Sequence, residues 1–434
     1  MVKTNAMSQP LETAYSIDTS SIKFGPGVTR EVGYDAHRLG ARRVMVVTDP
    51  NLSDSEPVAV AIRSLRDAGV DAVLFDQVHI EPTDSSFKEA IAFATDGGFD
   101  GYVGIGGGSS IDTAKAANLY ATHPADLFAY VNAPVGQGLP VPGPLKPLIA
   151  VPTTSGTGSE TTGVAIFDYV EMKAKTGIAH RYLRPSIGIV DPDNTRTLPR
   201  MVTASSGFDV LSHGLESLTA MPYNERGAPD SPLLRPAYQG SNPISDVWST
   251  RAIEMVSQNL VRAANDPDDH EARSQMLLAA TFAGVGFGNA GCHLPHGMSY
   301  PVSGMAHGLD FKVEGYPAVS MCPHGMSVVL NAPAVFRFTA PTSPARHLHA
   351  ARLMGADVSG ASPEDAGDLL ADAIIGLMRQ LDMPNGLEGV GYSTDDLDDL
   401  VAGALPQHRV LKLSPRPVGA TELRQLFADS MTLW

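Results

Sequence analysis

The sequence predicts an α/β N-terminal domain built on a parallel sheet, followed by an all-α C-terminal domain. Two observations predict this. From Arg42 onward, short continuous apolar runs alternate with stretches of helical period, the rhythm of βαβ units with right-handed crossovers. After Pro199 the strand signals fade, and helical runs follow one another to the end of the chain. A chain of 434 residues is long enough for two or three domains with large cores. The expected partition is a flexible tail over 1–19, an α/β domain over 20–199 and a helical domain over 200–434.

The tail expectation rests on the polar stretch from Met1 to Ala14, which has neither an apolar signal core nor an Arg-rich amphipathic pattern. Arg43 to Thr48 is continuously apolar up to its last residue, as a strand buried on both faces requires, and it ends at Asp49-Pro50. Val58 to Ala68 has helical spacing and stops at Gly69. Ala72 to Phe75 is the next strand. Asp84 caps a helix running to about Thr95 and ending at Gly97-Gly98, and Gly101 to Ile105 is the third strand. Pro147 to Val151 is a further buried strand. The segment from Gly163 to Pro192 reads as more strands, the last being Ile187 to Val190. Helical runs then fall at about 201–219, 244–265, 268–290, 323–340, 343–354, 362–382 and 420–431. Pro222 to Pro243 reads as an inserted loop rich in Pro, Gly, Ser and Asn.

Parallel sheets take ligands at the carboxyl ends of their strands, and three candidate stretches lie there. The third strand runs into Gly106-Gly107-Gly108-Ser109 and then a helix carrying Asp112 and Lys115. Glycines permit close backbone approach, and a helix start offers free N–H groups to a phosphate. This stretch is not the Gly-x-Gly-x-x-Gly fingerprint, and a plain glycine turn is the competing reading. Asp49 would accept from ribose hydroxyls and repel a 2′-phosphate, which favours NAD over NADP; the alternative is a turn aspartate before Pro50. Pro152 to Thr162 combines hydroxyls and glycines, including Thr153, Thr154 and Thr157, in a polar cradle or else a merely flexible loop.

In the helical half, Asp209 and His213 are four residues apart, about one turn, and project from one face. A carboxylate and an imidazole so placed chelate a divalent ion, or else serve as an end-of-helix aspartate and a core histidine. Two further clusters, His293-Leu294-Pro295-His296 and Pro323-His324-Gly325, are bounded by Gly or Pro. One Asp and three His form an N/O donor set suited to Fe(II), Zn(II) or similar ions. Cys292 and Cys322 read as small buried side chains.

Composition narrows the function. A net charge of −16 argues against nucleic acid and anionic membranes as main partners. No apolar run approaches the roughly 20 residues that span a bilayer. Two cysteines are too few for a disulfide framework, which points to a reducing compartment and, with the polar N-terminus, to the cytoplasm.

Taken together, Gly106-Gly107-Gly108-Ser109-x-x-Asp112-x-x-Lys115, Pro152-Thr153-Thr154-x-Gly156-Thr157-Gly158-Ser159-Glu160, Asp209-x-x-x-His213, His296-Gly-Met-Ser-Tyr300-Pro301 and Pro323-His324-Gly325 resemble the iron-containing alcohol dehydrogenase family, within the dehydroquinate-synthase-like fold. The resemblance spans about residues 20–434. It implies an NAD-linked, metal-dependent oxidoreductase whose ion, Fe(II) or alternatively Zn(II), is held by Asp209, His213, His296 and His324. It further implies nucleotide contacts at Asp49, Gly106, Gly107, Gly108, Ser109, Asp112, Thr153, Thr154, Thr157 and Lys175, and a homodimer or higher oligomer. Where many members carry a second histidine four residues after the third ligand, this chain has Tyr300, read as a hydrogen-bond donor, a proton-relay member or a packing residue. His293 stands as a decoy or a supporting group.

Finer stretches, Ser206 to Leu211, Arg235 to Asp246, Gly286 to Gly291 and Pro323 to Leu330, resemble the hydroxyacid–oxoacid transhydrogenase branch. That branch moves a hydride from 4-hydroxybutyrate to 2-oxoglutarate through NAD that stays bound. The implied partners are a small hydroxy acid or alcohol and an oxo acid or aldehyde. A carboxylated substrate needs a cation, for which Arg235 is the first candidate, ahead of Lys312, Arg226 and Arg181. The competing classes are an ordinary NAD-dependent alcohol dehydrogenase, a dehydroquinate-synthase-like lyase, a maleylacetate-reductase-like enzyme and a non-catalytic binding protein.

Overall fold

The computed structural model describes residues 10–434 apart from residue 173. The strands are β1 (Ser21–Phe24), β2 (Arg43–Val47), β3 (Asp71–Phe75), β4 (Gly101–Gly106), β5 (Leu148–Pro152), β6 (Val164–Tyr169), β7 (Ala174–Ala179) and β8 (Ile187–Val190). Six of them form one wholly parallel sheet in the order β1-β8-β5-β4-β2-β3. The other two, β6 and β7, form an antiparallel hairpin. The central strands are buried on both faces: Met45, Val46 and Val47 in β2 and Val103 and Ile105 in β4 are fully enclosed. That is why they read as unbroken apolar runs. Helices α1 (Val32–Arg38), α2 (Glu56–Asp67), α3 (Asp84–Gly97), α4 (Gly108–Thr122) and the single turn α5 (Leu127–Tyr130) complete this domain.

The chain runs outward from β2 to β3 on one side and from β4 through β5 to β8 on the other. The connections therefore diverge between β2 and β4, and a crevice opens there at the carboxyl edge.

The second half is helical: α6 (Arg200–Thr219), α7 (Pro243–Asn265), α8 (His270–Ala290), α9 (Leu294–Met305), α10 (His324–Val329), α11 (Ala332–Thr339), α12 (Pro344–Leu353), α13 (Ala366–Gln380), α14 (Leu397–Ala404), α15 (His408–Leu411) and α16 (Ala420–Asp429). Its centre is α6, whose residues from Gly207 to Thr219 are all buried. The expected run over 323–340 divides into α10 and α11 just before Pro333, whose ring suits a helix start.

The two domains meet through backbone. A Cβ on Gly158 would lie 2.7 Å from the Cα of Gly284 in α8, so the polar loop after β5 packs directly on that helix. Thr281 donates to Glu160 Oε1 at 2.8 Å across the same contact, and Arg184 donates to Thr161 and Gly288 carbonyls at 2.7 and 3.1 Å. The Thr-rich loop is thus held in place against α8.

The expected flexible tail needs correction. Its first nine residues lie outside the described ones, but residues 10–19 are tied to the helical domain. Glu12, 6% exposed, accepts from Arg235, the Ser16 N–H donates to Gln239, and the Asp18 N–H donates to Asn289. Side chains more than two hundred residues away, one donor and two acceptors, hold a segment that has no apolar pattern of its own.

Candidate active site

The glycine turn and the threonine loop sit side by side at the carboxyl edge. Thr153 N–H donates to the Gly106 carbonyl at 3.0 Å. Gly106 has φ +146°, a conformation that glycine adopts readily and other residues rarely do. A Cβ on Gly107 would lie 3.3 Å from Thr154 Oγ1, and one on Gly108 would lie 2.6 Å from Thr157 Cγ2. Side chains at these glycines would fill the groove at the start of α4, where free N–H groups point outward. Asp49 is buried at the end of the neighbouring strand and accepts from the Asn51 N–H at 2.9 Å, as a turn aspartate does.

Two residues expected to touch the nucleotide line the cavity and also hold partners within the protein. Asp112 Oδ1 accepts from Lys115 at 3.2 Å and from the Ser159 hydroxyl, and its Oδ2 accepts from the Ile166 N–H at 2.9 Å. Its carboxylate lines the cavity and also braces α4 against the threonine loop and β6. The Lys175 ammonium is held between Glu81 and Asp168, so it reaches the cavity wall as part of an ion triad.

Opposite this cradle, α6, α9 and α10 bring Asp209, His213, His296 and His324 together. Asp209 Oδ1 lies 3.7 Å from His213 Nε2, 3.4 Å from His296 Nε2 and 3.6 Å from His324 Nε2. The helical spacing places the first pair, and a close helix crossing places His324. A Cβ on Gly325 would run into the Ser205 carbonyl and come within 3.0 Å of Asp209 Cβ. Met326 N–H donates to Ser205 Oγ at 3.1 Å and locks that crossing. His213 stacks face to face on Phe287, with ring centroids 3.7 Å apart, which fixes its plane.

The residues fit a metal ion. Asp209 Oδ1 and His296 Nε2 are buried without any hydrogen-bond partner, a costly state unless a cation accepts their lone pairs. Burial draws the His213 pKa down to about 3 despite Asp209, and it lowers that of His324, so both imidazoles are neutral donors. Burial would raise the Asp209 pKa, but the surrounding imidazoles outweigh it and hold the carboxyl below the ordinary range. His296 differs: burial opposes its charge, yet Cys292, Glu216 and Asp209 raise its pKa well above the ordinary value. This corner of the cavity favours positive charge. His324 is the open side, its side chain 28% exposed against 3–5% for the other three.

The mutually close donor atoms form two overlapping groups that share His296: Asp209, His296 and His324, and His213, Cys292 and His296. Burial pushes the Cys292 thiol up to about 11, so it remains protonated and is the poorer ligand. His293 is no ligand, because its Nε2 meets Thr219 Oγ1 at 2.9 Å.

Four residues of the site had no role in the sequence-based expectation. Glu216 is the first. Its Oε1 accepts from the backbone N–H groups of His293 and His296 at 3.0 and 3.1 Å, and its Oε2 bonds His296 Nδ1. It follows Asp209 by seven residues on the same face of α6, a signal that was available. Glu81 hydrogen-bonds with Lys175 and Ser303 and so links the two domains. Tyr238 and Arg409 line the cavity beside Tyr300. Arg235 does not: both of its bonds go to Glu12, which corrects its assignment to a substrate carboxylate. Arg181 pairs with Asp18, and neither Lys312 nor Arg226 reaches the cavity lining.

Two family models match the chain: iron-containing alcohol dehydrogenase over residues 19–192, and the C-terminal model of the Fe-containing alcohol dehydrogenase family over 237–431. The chain is 55% identical over 426 residues to the mitochondrial hydroxyacid-oxoacid transhydrogenase of Xenopus tropicalis, covering 98% of this chain and 92% of that one. It is 54% identical to the Bos taurus protein of the same name, covering 97% and 91%. Among solved structures, 1,3-propanediol oxidoreductase superposes with a TM-score of 0.83 at 27% identity, covering 96% of this chain and 100% of that one. Sulfoacetaldehyde reductase from Bifidobacterium kashiwanohense, solved with NAD+, does so with a TM-score of 0.77 at 26% identity, covering 96% and 98%. The relatives' mitochondrial designation overturns the expectation of a cytoplasmic protein. A low cysteine count reports a reducing environment and does not distinguish compartments that share one.

Proposed function

The chain belongs to the iron-containing alcohol dehydrogenase family, and on that premise we propose that it is a hydroxyacid–oxoacid transhydrogenase. It oxidises 4-hydroxybutyrate to succinate semialdehyde and reduces 2-oxoglutarate to 2-hydroxyglutarate, with NAD and one divalent ion as resident groups. The observation that carries this reading is the convergence of Asp209 Oδ1 with three imidazole Nε2 atoms at 3.4–3.7 Å, in a cavity that the glycine turn also lines.

Asp209, His213, His296 and His324 would hold the ion; the mixed N/O set suits Fe(II), and the family relationship favours it over Zn(II). The groove at Gly106 to Ser109, walled by Thr153, Thr154 and Thr157, would take the pyrophosphate, with Asp49 facing the ribose. When bound, the ion would acidify the substrate hydroxyl and stabilise negative charge on its oxygen, and the nicotinamide would accept and return the hydride. The protein supplies the rest. Glu216 holds the proton on His296 Nδ1 and thereby directs the Nε2 lone pair at the ion. Phe287 covers the outer face of His213 and keeps water from it. Tyr300 stands one helical turn beyond His296 and presents its hydroxyl to the cavity.

Incubation of the purified enzyme with 4-hydroxybutyrate and 2-oxoglutarate, without added nucleotide, produces succinate semialdehyde and 2-hydroxyglutarate together. If neither forms until NAD is supplied, the protein is an ordinary NAD-dependent alcohol dehydrogenase. A dehydroquinate-synthase-like reading would need a cluster of free cations for a phosphate. The lining holds Lys175, already engaged by two carboxylates, and Arg409.

Two further outcomes follow. Glu216→Gln keeps the shape but removes the carboxylate behind His296, and metal affinity falls about 10- to 100-fold in a competition titration with a chelator. Gly108→Val puts a side chain where Thr157 already stands. NAD binding by fluorescence titration weakens by at least about tenfold, one hydrogen bond to a charged group or more, while metal content stays unchanged.

A further inference from the structure

We propose that Arg409 anchors the substrate carboxylate and thereby favours hydroxy and oxo acids over uncharged alcohols and aldehydes. The inference rests on the transhydrogenase reading above and assigns it a residue. Arg409 lines the same cavity as Asp209, His213, His296 and His324. Its guanidinium is held in place without being neutralised. Nη2 donates to the Tyr300 hydroxyl at 2.9 Å, and Cζ lies 4.8 Å from the centre of the Tyr238 ring. Nη1 is shut off from water and has no acceptor. Among the described residues, no carboxylate forms an ion pair with Arg409.

The neighbourhood adds to the positive charge. Burial, Arg226 and Arg409 together depress the Lys412 pKa, and the carboxylate that Arg226 meets, Glu12, is shared with Arg235. An enclosed cation without a counter-ion is costly to keep, and this one stands in a chain of net charge −16. It is a site prepared for an anion.

The shape of that anion follows from the chemistry. A guanidinium carries five donors in a planar fork, so with one of them on Tyr300 it can still grip a carboxylate with two. Tyr300 accepts from Arg409, which leaves its own O–H free to donate to the same carboxylate. Tyr300 is one turn from His296 on α9, about 5 Å along the axis. An anion on Arg409 therefore shares one cavity with the ligand cluster. 4-Hydroxybutyrate and 2-hydroxyglutarate share one unit, a carbinol carbon followed by two methylenes and a carboxylate. One anchor therefore positions both partners of the exchange. The replacement of the family's histidine by Tyr300 is then part of the carboxylate site.

The test compares wild type with Arg409→Gln and Arg409→Lys. It measures kcat/KM on 4-hydroxybutyrate and on 1-butanol, the dissociation constant of glutarate by calorimetry, and metal content as a check on the fold. In Arg409→Gln, kcat/KM on 4-hydroxybutyrate falls about 10²-fold, the loss of charge-assisted hydrogen bonds, and far more than on 1-butanol. Glutarate binding weakens in parallel, and Arg409→Lys recovers part of both. Equal losses on the acid and the alcohol overturn the proposal, as does glutarate binding within about threefold of wild type, well under one hydrogen bond to a charge. If wild type turns over no hydroxy acid, the transhydrogenase reading fails by itself, and glutarate binding in the variants still decides the role of Arg409.

Discussion

Asp209→Ala leaves the protein folded but unable to retain its divalent ion, and turnover falls about 10³-fold or more. Asp209 Oδ1 is the atom that all three imidazoles share, at 3.4–3.7 Å, and it supplies the only negative charge in the four-residue set. Without it, a doubly charged cation would have to leave water for a buried pocket of neutral nitrogens. The rate estimate is the several kcal/mol of charge stabilisation that a bound cation contributes, at about 1.4 kcal/mol per tenfold. Asp209→Asn separates charge from shape. The amide fills the same volume but offers no anion, and it is expected to behave like alanine. Elemental analysis of the purified variants checks metal content, and thermal unfolding checks that the fold survives.

The second large effect is on stability. Lys115 is wholly buried in α4, where its ammonium reaches Asp112, Ser159, Thr162 and the Val164 carbonyl. Burial opposes its charge, and Asp112 offsets that cost. Lys115→Met removes the cation and leaves the Asp112 carboxylate enclosed without its partner. Breaking a buried pair in this way costs about 3–5 kcal/mol, which lowers the midpoint of urea unfolding. The double variant Asp112→Leu with Lys115→Met removes both charges and recovers much of the loss. If the single variant unfolds at the wild-type midpoint, the brace between α4 and the threonine loop is not important to stability.

What the sequence reveals and what it hides follow from the same physics. Strands β2, β4, β5 and β8 are legible because both faces are buried and their residues are continuously apolar. β1 is a mostly exposed edge strand and carries no such run. The α9 helix is hidden by its own composition, with Pro295 near its start, Pro301 inside it and glycine next to His296. Helices α14 and α15 are too short for a periodic signal.

Within the site, Asp209 and His213 are legible from spacing alone, and Glu216 lay on the same face of the helix. Arg409 is different in kind. Nothing near it in sequence marks it, and its partner Tyr300 is 109 residues away. Arg235 illustrates the reverse error. Its inserted loop suggested a ligand role, but a glutamate 223 residues earlier in the chain takes the Nε–Nη2 edge of its guanidinium. Local pattern reports which face a residue occupies, and only the tertiary fold decides which charges are already spoken for.

On the proposed transhydrogenase reading, one cavity exchanges a hydride between two acids through a nucleotide that does not leave. The most direct measurement supplies the purified enzyme with 4-hydroxybutyrate deuterated at its hydroxyl-bearing carbon, together with 2-oxoglutarate and no added NAD. Mass spectrometry then reads the 2-hydroxyglutarate formed. The 2-hydroxyglutarate is expected to carry the deuterium, with succinate semialdehyde formed in equal amount. Unlabelled 2-hydroxyglutarate, or none, would contradict that reading.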